Sequence, residues 1–141
     1  SFLSVAVGYL GIPSGLTAYI GTLALSKYML ITILSVMYII LGCLLDGFSM
    51  IVMSLPIALP LIKAAGFDPI WFGIYLVVMI EVAQITPPVG FNLFVINGLV
   101  GDNLFKIAKY ALPSFIIMMV FTILITVYPD LVLALPRLMI K

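Results

Sequence analysis

The apolar residues of this chain form long, continuous runs that are interrupted at a few points by proline, glycine and isolated polar residues. The runs are rich in Leu, Ile and Met and lack the alternation of apolar and polar positions typical of β-barrel strands, so they predict helices. A helix needs about 20 residues to cross the hydrocarbon core of a bilayer. The pattern therefore predicts an all-α integral membrane chain, and the interruptions mark the places where its helices turn or break.

The first 27 residues are predicted to be a truncated span followed by an interfacial helix. Residues 2–10 are too few to cross a bilayer, and the chain starts in apolar sequence without the charged region of a signal peptide. The stretch 11–15 has turn chemistry. The helical spacing of apolar residues over 16–25 then fits a short interfacial helix or, equally well, an ordinary connecting helix.

A helical hairpin is predicted over residues 28–64. The 35 residues from 28 to 62 contain one charged side chain, Asp46, and would form a helix roughly 50 Å long, well beyond the hydrocarbon core of about 30 Å. The chain must therefore turn, and the stretch from Asp46 to Ser49 has the Gly, Asp and Ser residues of a turn. The two arms could be two spans, but the short, proline-containing second arm favours a re-entrant hairpin.

Asp46 has two compatible interpretations. It can cap the returning helix in a loop at the water interface. Alternatively, it is a carboxylate near the middle of the membrane, where an ionisable group is costly and serves to bind an ion or a substrate. The nearby Cys43 is interpreted as a small apolar residue, because it is the only cysteine and no internal disulfide is possible.

A broken helix is predicted over residues 68–101. Gly66 is expected to end the preceding helix, and Asp68 to cap the next one with Pro69 at its first position. The aromatic pair Trp71–Phe72 is then expected in an aromatic belt at the membrane surface.

The strongest interruption in the chain is Ile85-Thr86-Pro87-Pro88-Val89-Gly90-Phe91-Asn92. Neither proline has a backbone N–H, so the carbonyls of Ala83 and Gln84 are expected to lose their helical donors and the helix must break. At membrane depth, unpaired backbone occurs only where it is buried in protein or lines a watery cavity. The break is therefore a candidate ion or substrate site, and the alternative is a kinked but inert span.

The residue types at the break suit two kinds of ligand. Thr86 offers a hydroxyl oxygen and the freed carbonyls offer more, which are the ligands that hard cations prefer. Pro88 is predicted to begin a second half-helix, whose free N–H groups form a positive end suited to a carboxylate. Gly90 permits the close approach of a ligand or a neighbouring backbone, and Asn92 supplies an amide.

Glu81 and Gln84 lie one turn apart in the first half-helix and are predicted to share a face. Glu81 is interpreted as a structural or supporting residue, with a proton relay or an ion pair with a basic group elsewhere as alternatives. The chain has no histidine, the usual relay residue near neutral pH. A last span is predicted from residue 104 through Pro113 to about Tyr128, followed by an interfacial tail to residue 141.

Composition agrees with a membrane location. The chain is 65% hydrophobic and 8% charged, with a mean hydropathy of +1.40, whereas soluble domains are about 45–50% apolar and about 25% charged. Its net charge of +1 provides no basic face for nucleic acid. There is no phosphate loop, nucleophile elbow or Ser/His/Asp set, so neither an enzyme nor an organic cofactor is expected.

Several motifs in a fixed order carry a family resemblance. They are Gly42-x-x-Leu45-Asp46, Pro56-x-x-x-Pro60, Gly66-Phe67-Asp68-Pro69-x-Trp71-Phe72-Gly73 and Thr86-Pro87-Pro88-Val89-Gly90-x-Asn92-Leu93-Phe94-Val95. Together they resemble the C-terminal part of the large membrane subunit of tripartite ATP-independent periplasmic (TRAP) transporters, and the resemblance covers almost the whole chain. One departure is Ala83-Gln84-Ile85, where this family usually reads Gly-Leu-Ile or similar.

The resemblance implies an elevator-type, sodium-coupled secondary transporter of organic acids, such as C4-dicarboxylates or sialic-acid-like molecules, in the bacterial inner membrane. The implied partners are a small membrane subunit and a periplasmic substrate-binding protein. The family is built from two inverted repeats, each with a re-entrant hairpin and a broken helix. This chain resembles the second repeat only, so 141 residues alone are not expected to enclose a substrate.

By the resemblance, the hairpin tip meets the broken helix around sodium and substrate. The predicted ion ligands are Asp46, Ser49, Thr86, Pro87 and Pro88, with sodium at Asp46 and Thr86, and the predicted substrate contacts are Val89, Gly90 and Asn92. Two rival hypotheses remain: another elevator-type symporter of divalent anions and sodium, and a non-transporting membrane scaffold in which the breaks serve helix packing. Proton coupling is the alternative to sodium coupling.

Overall fold

A computed structural model of the chain describes Thr22 and residues 26–43, 45–87 and 90–140. Six helices have described bounds: α1 (Lys27–Gly42), α2 (Gly47–Ala64), α3 (Pro69–Gln84), α4 (Phe91–Val100), α5 (Leu104–Val127) and α6 (Asp130–Met139). These ranges contain no β-strand, so the expected all-α fold is confirmed for them. Apart from Thr22, the predicted truncated span and interfacial helix lie outside the described residues.

Local sequence signals set the ends of several helices. Asp68 caps α3 by accepting from the Ile70 amide at 2.7 Å, and Pro69 occupies the first helical position. Gly66 follows the end of α2 in the left-handed conformation, with a φ of 85°. Both predictions for this connection are confirmed, because a cap and a left-handed glycine depend on the local chain alone.

The helix α3 is the centre of the fold and packs against each of the other five helices. An aromatic stack runs along it: the ring centroids of Phe67 and Trp71 are 4.5 Å apart, and those of Trp71 and Tyr75 are 5.2 Å apart. The Trp71 indole N–H donates to the Ile125 carbonyl at 2.7 Å. Since Trp71 is 0% and Phe72 1% exposed, the predicted aromatic belt is wrong, and these rings fill the protein interior.

Hydroxyl groups tie the helices together inside the apolar core. The Ser35 and Tyr75 hydroxyls are 2.8 Å apart and join α1 to α3. The Tyr38 hydroxyl donates to Ser54 at 3.0 Å and joins α1 to α2. Hydrogen bonds are stronger in an apolar interior than in water, so these pairs fix the hairpin arms against each other and against α3.

The helix α5 has a different character. It is 24 residues long, contains Pro113 and is the only helix within the described ranges that is long and apolar enough to cross a membrane. Its surface is largely apolar, with exposed residues that include Ile116, Ile117, Val120, Ile123 and Val127. A continuous apolar outer surface of this kind is compatible with contact with lipid.

Candidate functional site

The predicted break is present between α3 and α4. The helix α3 ends at Gln84, and α4 begins at Phe91 with Gly90 as its N-cap. The prediction that Pro88 begins the second half-helix is wrong, since a separate turn comes first, closed by a hydrogen bond of 2.8 Å from the Gly90 amide to the Thr86 carbonyl. Pro88 and Val89 themselves lie outside the described residues.

Hydrogen bonds at the end of α3 use part of the predicted ligand set. The Thr86 hydroxyl donates to the Val82 carbonyl at 2.8 Å, and the Thr86 amide donates to the Ala83 carbonyl at 3.4 Å. The Ala83 carbonyl thus loses its helical donor at Pro87, as expected, and accepts a weak bond from Thr86 instead, because the chain forms one more tight turn before the prolines. The Thr86 oxygen still has acceptor capacity, since a hydroxyl that donates once retains its lone pairs.

At the hairpin tip, Asp46 caps α2 as predicted. Its carboxylate accepts from the Ser49 amide at 3.1 Å and from the Ser49 hydroxyl at 2.6 Å. One carboxylate therefore holds the first turn of α2 and orients the Ser49 hydroxyl. This cap does not exclude the second interpretation of Asp46, because each carboxylate oxygen can accept more than one partner.

Glycines allow the hairpin turn to lie directly on the last turn of α3. A Cβ atom added to Gly47 would be 2.6 Å from the Gln84 Nε2 atom and 3.0 Å from Ile80. A Cβ atom added to Gly42 would be 2.7 Å from the carbonyl carbon of Ala83. The neighbours of Gly42 are the Cβ and backbone atoms of Ala83, and the nearest neighbour of Gly47 is the end of the Gln84 side chain, so both ends of the hairpin turn are packed closely against α3.

Gln84 connects this turn to the start of α4 as well. A Cβ atom added to Gly90 would overlap the Gln84 carbonyl oxygen and lie 2.9 Å from the Thr86 nitrogen. Gln84 therefore touches the first residue of α2 with its side chain and the N-cap of α4 with its backbone. Within the described ranges, no hydrogen bond joins Asp46 or Ser49 to the predicted residues of the break, and Gln84 makes the connection.

Sequence reasoning missed Gln84 as a site residue. Gln84 and Glu81 lie one turn apart on α3, as predicted, but they differ in burial: Gln84 is 8% exposed, whereas Glu81 is exposed. The boundary of the buried face runs between them because α3 is surrounded on most sides but leaves a strip open near Gly73, Val77 and Glu81. The available signal was a polar residue in the last turn before two prolines.

The other predicted residues occupy the positions expected from their place in the chain. Asn92 is half-buried in the first turn of α4, and Pro87 is half-buried after α3. Cys43 is half-buried and donates to the Ile39 carbonyl at 3.4 Å. The described part of the chain contains no group of three or more His, Cys, Asp or Glu residues that could hold a metal, so a cation here would need hydroxyl and carbonyl oxygens in addition to the Asp46 carboxylate.

The sequence matches a known family. Residues 1–131 match the family model described as tripartite ATP-independent periplasmic transporter, DctM component. The chain belongs to this family. The resemblance carried by the motifs is therefore confirmed, and so is the expectation that the chain is not an enzyme, because its relatives are TRAP transporter permeases.

Individual relatives differ in their named substrates. The chain is 37% identical over 126 residues to the C4-dicarboxylate TRAP transporter large permease protein DctM of Pseudomonas aeruginosa, which covers 89% of the chain and 30% of that protein. It is 33% identical over 117 residues to the isethionate TRAP transporter permease protein DctMQ of Oleidesulfovibrio alaskensis. This match covers 83% of the chain and 18% of that protein.

A third relative is the sialic acid TRAP transporter large permease protein SiaM of Vibrio cholerae, which is 27% identical over 128 residues, covering 90% of the chain and 30% of that protein. The chain therefore spans less than a third of the length of these curated relatives.

Proposed function

We propose that this TRAP permease chain contributes a re-entrant hairpin and a broken helix to an elevator-type, sodium-coupled importer of an organic acid. The observation that supports this most directly is the contact between Gly47 at the hairpin tip and Gln84 at the break. A hairpin tip and a helix break that meet in an apolar protein form a polar junction of the kind that holds ions and substrates in secondary transporters.

The names of the relatives support the proposed substrate class. Their names specify a C4-dicarboxylate, isethionate and sialic acid, which are all organic anions. We assign a C4-dicarboxylate or a sialic-acid-like acid to the complete transporter, which lies in the bacterial inner membrane as a multi-pass protein. A periplasmic binding protein delivers the acid, and a small membrane subunit completes the complex.

The junction offers oxygen ligands for sodium. The Thr86 and Ser49 hydroxyls each donate to a protein acceptor, so their remaining lone pairs are available to a cation. Asp46 supplies the negative charge, and the backbone carbonyls of Pro87 and Pro88 complete the set of proposed ligands.

The start of α4 offers donors for the organic anion. Gly90 has no side chain and makes no side-chain cap for α4, so amides of the first turn point out of the helix end without a competing cap. The N-terminus of a helix favours a carboxylate through these amides and through its dipole. Val89, Gly90 and the Asn92 amide are the proposed substrate contacts.

The proposal is tested with the complete transporter in liposomes, by sodium-driven uptake of radiolabelled succinate and N-acetylneuraminate. The variants are Thr86→Ala and Asp46→Asn, because asparagine retains a capping oxygen and removes only the charge. Each is expected to raise the half-saturating sodium concentration about tenfold, the effect of about 1.4 kcal/mol. Asp68→Asn is the matched control, since Asp68 caps α3 in an exposed turn.

Two results would contradict the proposal. Uptake that needs no sodium in the wild-type transporter would exclude sodium coupling. Unchanged sodium dependence in both Thr86→Ala and Asp46→Asn, at equal abundance in the membrane, would exclude these residues as ligands.

A further inference from the structure

We propose that Gln84 is a substrate-binding residue, whose side-chain amide donates a hydrogen bond to the anionic group of the transported acid. This inference rests on the proposed function, because it places a further residue in the same junction. It starts from a feature that the helix break alone does not explain, namely a polar side chain that is more than nine-tenths buried.

Gln84 lies between two helix starts and touches each of them with a different part of the residue. Its Nε2 atom lies against Gly47, the first residue of α2, and its backbone lies against Gly90, the N-cap of α4. Both helices present their positive ends here. The start of α4 has no side-chain cap, so its amides and the N–H donor of Gln84 favour an anion. At α2, by contrast, the Asp46 carboxylate caps the helix through Ser49 and is the proposed cation ligand.

The amide of Gln84 is also free to bind. It makes no side-chain hydrogen bond with the described residues, whereas Ser49 and Thr86 both have partners. The described ranges contain no fully buried side-chain nitrogen or oxygen atom without a partner, so the amide atoms of Gln84 are not completely enclosed by the protein. A buried polar group normally finds a hydrogen-bond partner, and the acid supplies one when it binds.

Conservative variants separate binding from folding. Gln84→Met retains the length of the side chain and removes the amide, so the unliganded thermal midpoint is expected to stay equal or rise. The half-saturating concentration of succinate or N-acetylneuraminate, whichever the wild-type transporter takes up, is expected to rise about tenfold or more. Gln84→Glu is expected to raise it further, because a carboxylate repels the acid.

Two further measurements identify the ligand of Gln84. The stabilisation of the purified transporter by the same acid is expected to fall in Gln84→Met, which is a readout independent of transport. The half-saturating sodium concentration, measured at saturating acid, is expected to change less than about twofold. Lys109→Met is the control, because Lys109 is exposed on α5 and its replacement also introduces methionine.

The outcomes separate this inference from the proposed function. If the wild-type transporter takes up neither acid with sodium, the proposed function fails and the inference fails with it. If the wild type transports but both Gln84 variants retain its half-saturating acid concentration, the inference alone is overturned. A shift confined to sodium would also overturn it, since Gln84 would then bind the cation.

Discussion

The α3–α4 junction and α5 both contain proline within apolar sequence, yet only the junction is interrupted. The helix α5 continues through Pro113 to Val127, whereas α3 stops at Gln84 and the chain resumes as α4 only at Phe91. One proline removes one backbone donor and one helical bond. In this chain the full break coincides with consecutive prolines and with a turn between Thr86 and Gly90, whereas a single proline leaves α5 continuous.

The α3–α4 junction and α5 also differ in how closely other parts of the chain pack against them. At the junction, backbone lies against backbone: Gly90 touches Gln84, and Gly42 touches Ala83. On α5, most side chains face outward. Changes at the junction should therefore be costly and affect transport, whereas comparable changes in well-exposed helices should be tolerated. Five variants test this contrast.

Gly90→Ala should have the largest effect. The added methyl group would overlap the Gln84 carbonyl and lie 2.9 Å from the Thr86 nitrogen, and both are backbone atoms that cannot turn away. We expect a loss of about 3 kcal/mol in unfolding free energy, measured by denaturant titration in detergent. Gly98→Ala is the control, because nothing lies within 4 Å of its added carbon. Equal stability of the two variants would contradict the close contact.

Gly42→Ala should cost about 1–3 kcal/mol by the same mechanism, since its added carbon would lie 2.7 Å from the Ala83 carbonyl carbon. The nearest atom is the Ala83 side chain, so Ala83→Gly should recover part of the loss. A double-mutant cycle in the same titration measures the coupling. Strictly additive effects of the two substitutions would argue against a shared contact.

The double variant Pro87→Ala with Pro88→Ala tests the break itself. Restoring two N–H groups allows α3 to extend, which would remove the turn between Thr86 and Gly90. We expect transport to fall at least about tenfold, equivalent to about 1.4 kcal/mol, with the protein still present in the membrane. Pro113→Ala in α5 is the matched change and should leave uptake near wild type. Loss of uptake in both the double variant and Pro113→Ala would show that the junction prolines are no more important for transport than Pro113.

Trp71→Phe addresses the link between α3 and α5. It retains an aromatic ring in the stack and removes the indole N–H that donates to the Ile125 carbonyl. We expect about 1 kcal/mol of destabilisation, seen as a lower thermal midpoint. Phe72→Leu provides a comparison in which no hydrogen bond of the described residues is lost. If Phe72→Leu lowers the thermal midpoint more than Trp71→Phe does, packing contributes more to stability than the indole hydrogen bond.

The smallest effect is expected at the start of α5. Lys106 lies 2.8 Å from Asp102, and this ion pair lowers the pKa of the Asp102 carboxyl below its usual value. The ion pair therefore stabilises the folded protein at pH values above the ordinary carboxyl pKa. This stabilisation is lost as the pH falls through the lowered pKa of Asp102. Because both groups are well exposed, Asp102→Asn should leave the thermal midpoint at neutral pH almost unchanged. A shift comparable to that of Trp71→Phe would contradict this.

The helix ends were predictable because their causes are local. The Asp68–Pro69 start, the Gly66 stop, the Asp46 cap and the break before Pro87 each follow from the stereochemistry of a few neighbouring residues. The same reasoning misplaced the start of α4, since the Gly90 amide closes a turn onto Thr86. That bond depends on how the chain folds back after the prolines.

The burial of individual side chains was less predictable. Trp71 and Phe72 lie in the first turn of α3, after a connecting loop. Aromatic residues at such a position are typical both of a membrane surface and of a protein interior, so the sequence does not distinguish the two. The structure fills that space with α5, and the tryptophan bonds to it. Likewise, the difference in burial between Gln84 and Glu81 depends on which side of α3 is covered by neighbouring helices. The burial of these side chains depends on tertiary packing, so the neighbouring residues in the sequence do not predict it.

The length of α5 also bears on how the protein enters its membrane. Insertion machinery selects segments by length and hydropathy, and among the helices with described bounds only α5, with its 24 residues, meets both requirements. The helix α3 has 16 residues, is synthesised earlier and forms its indole bond with α5. We therefore expect the centre of the fold to be completed late in biogenesis, when α5 has been inserted and the aromatic stack closes against it.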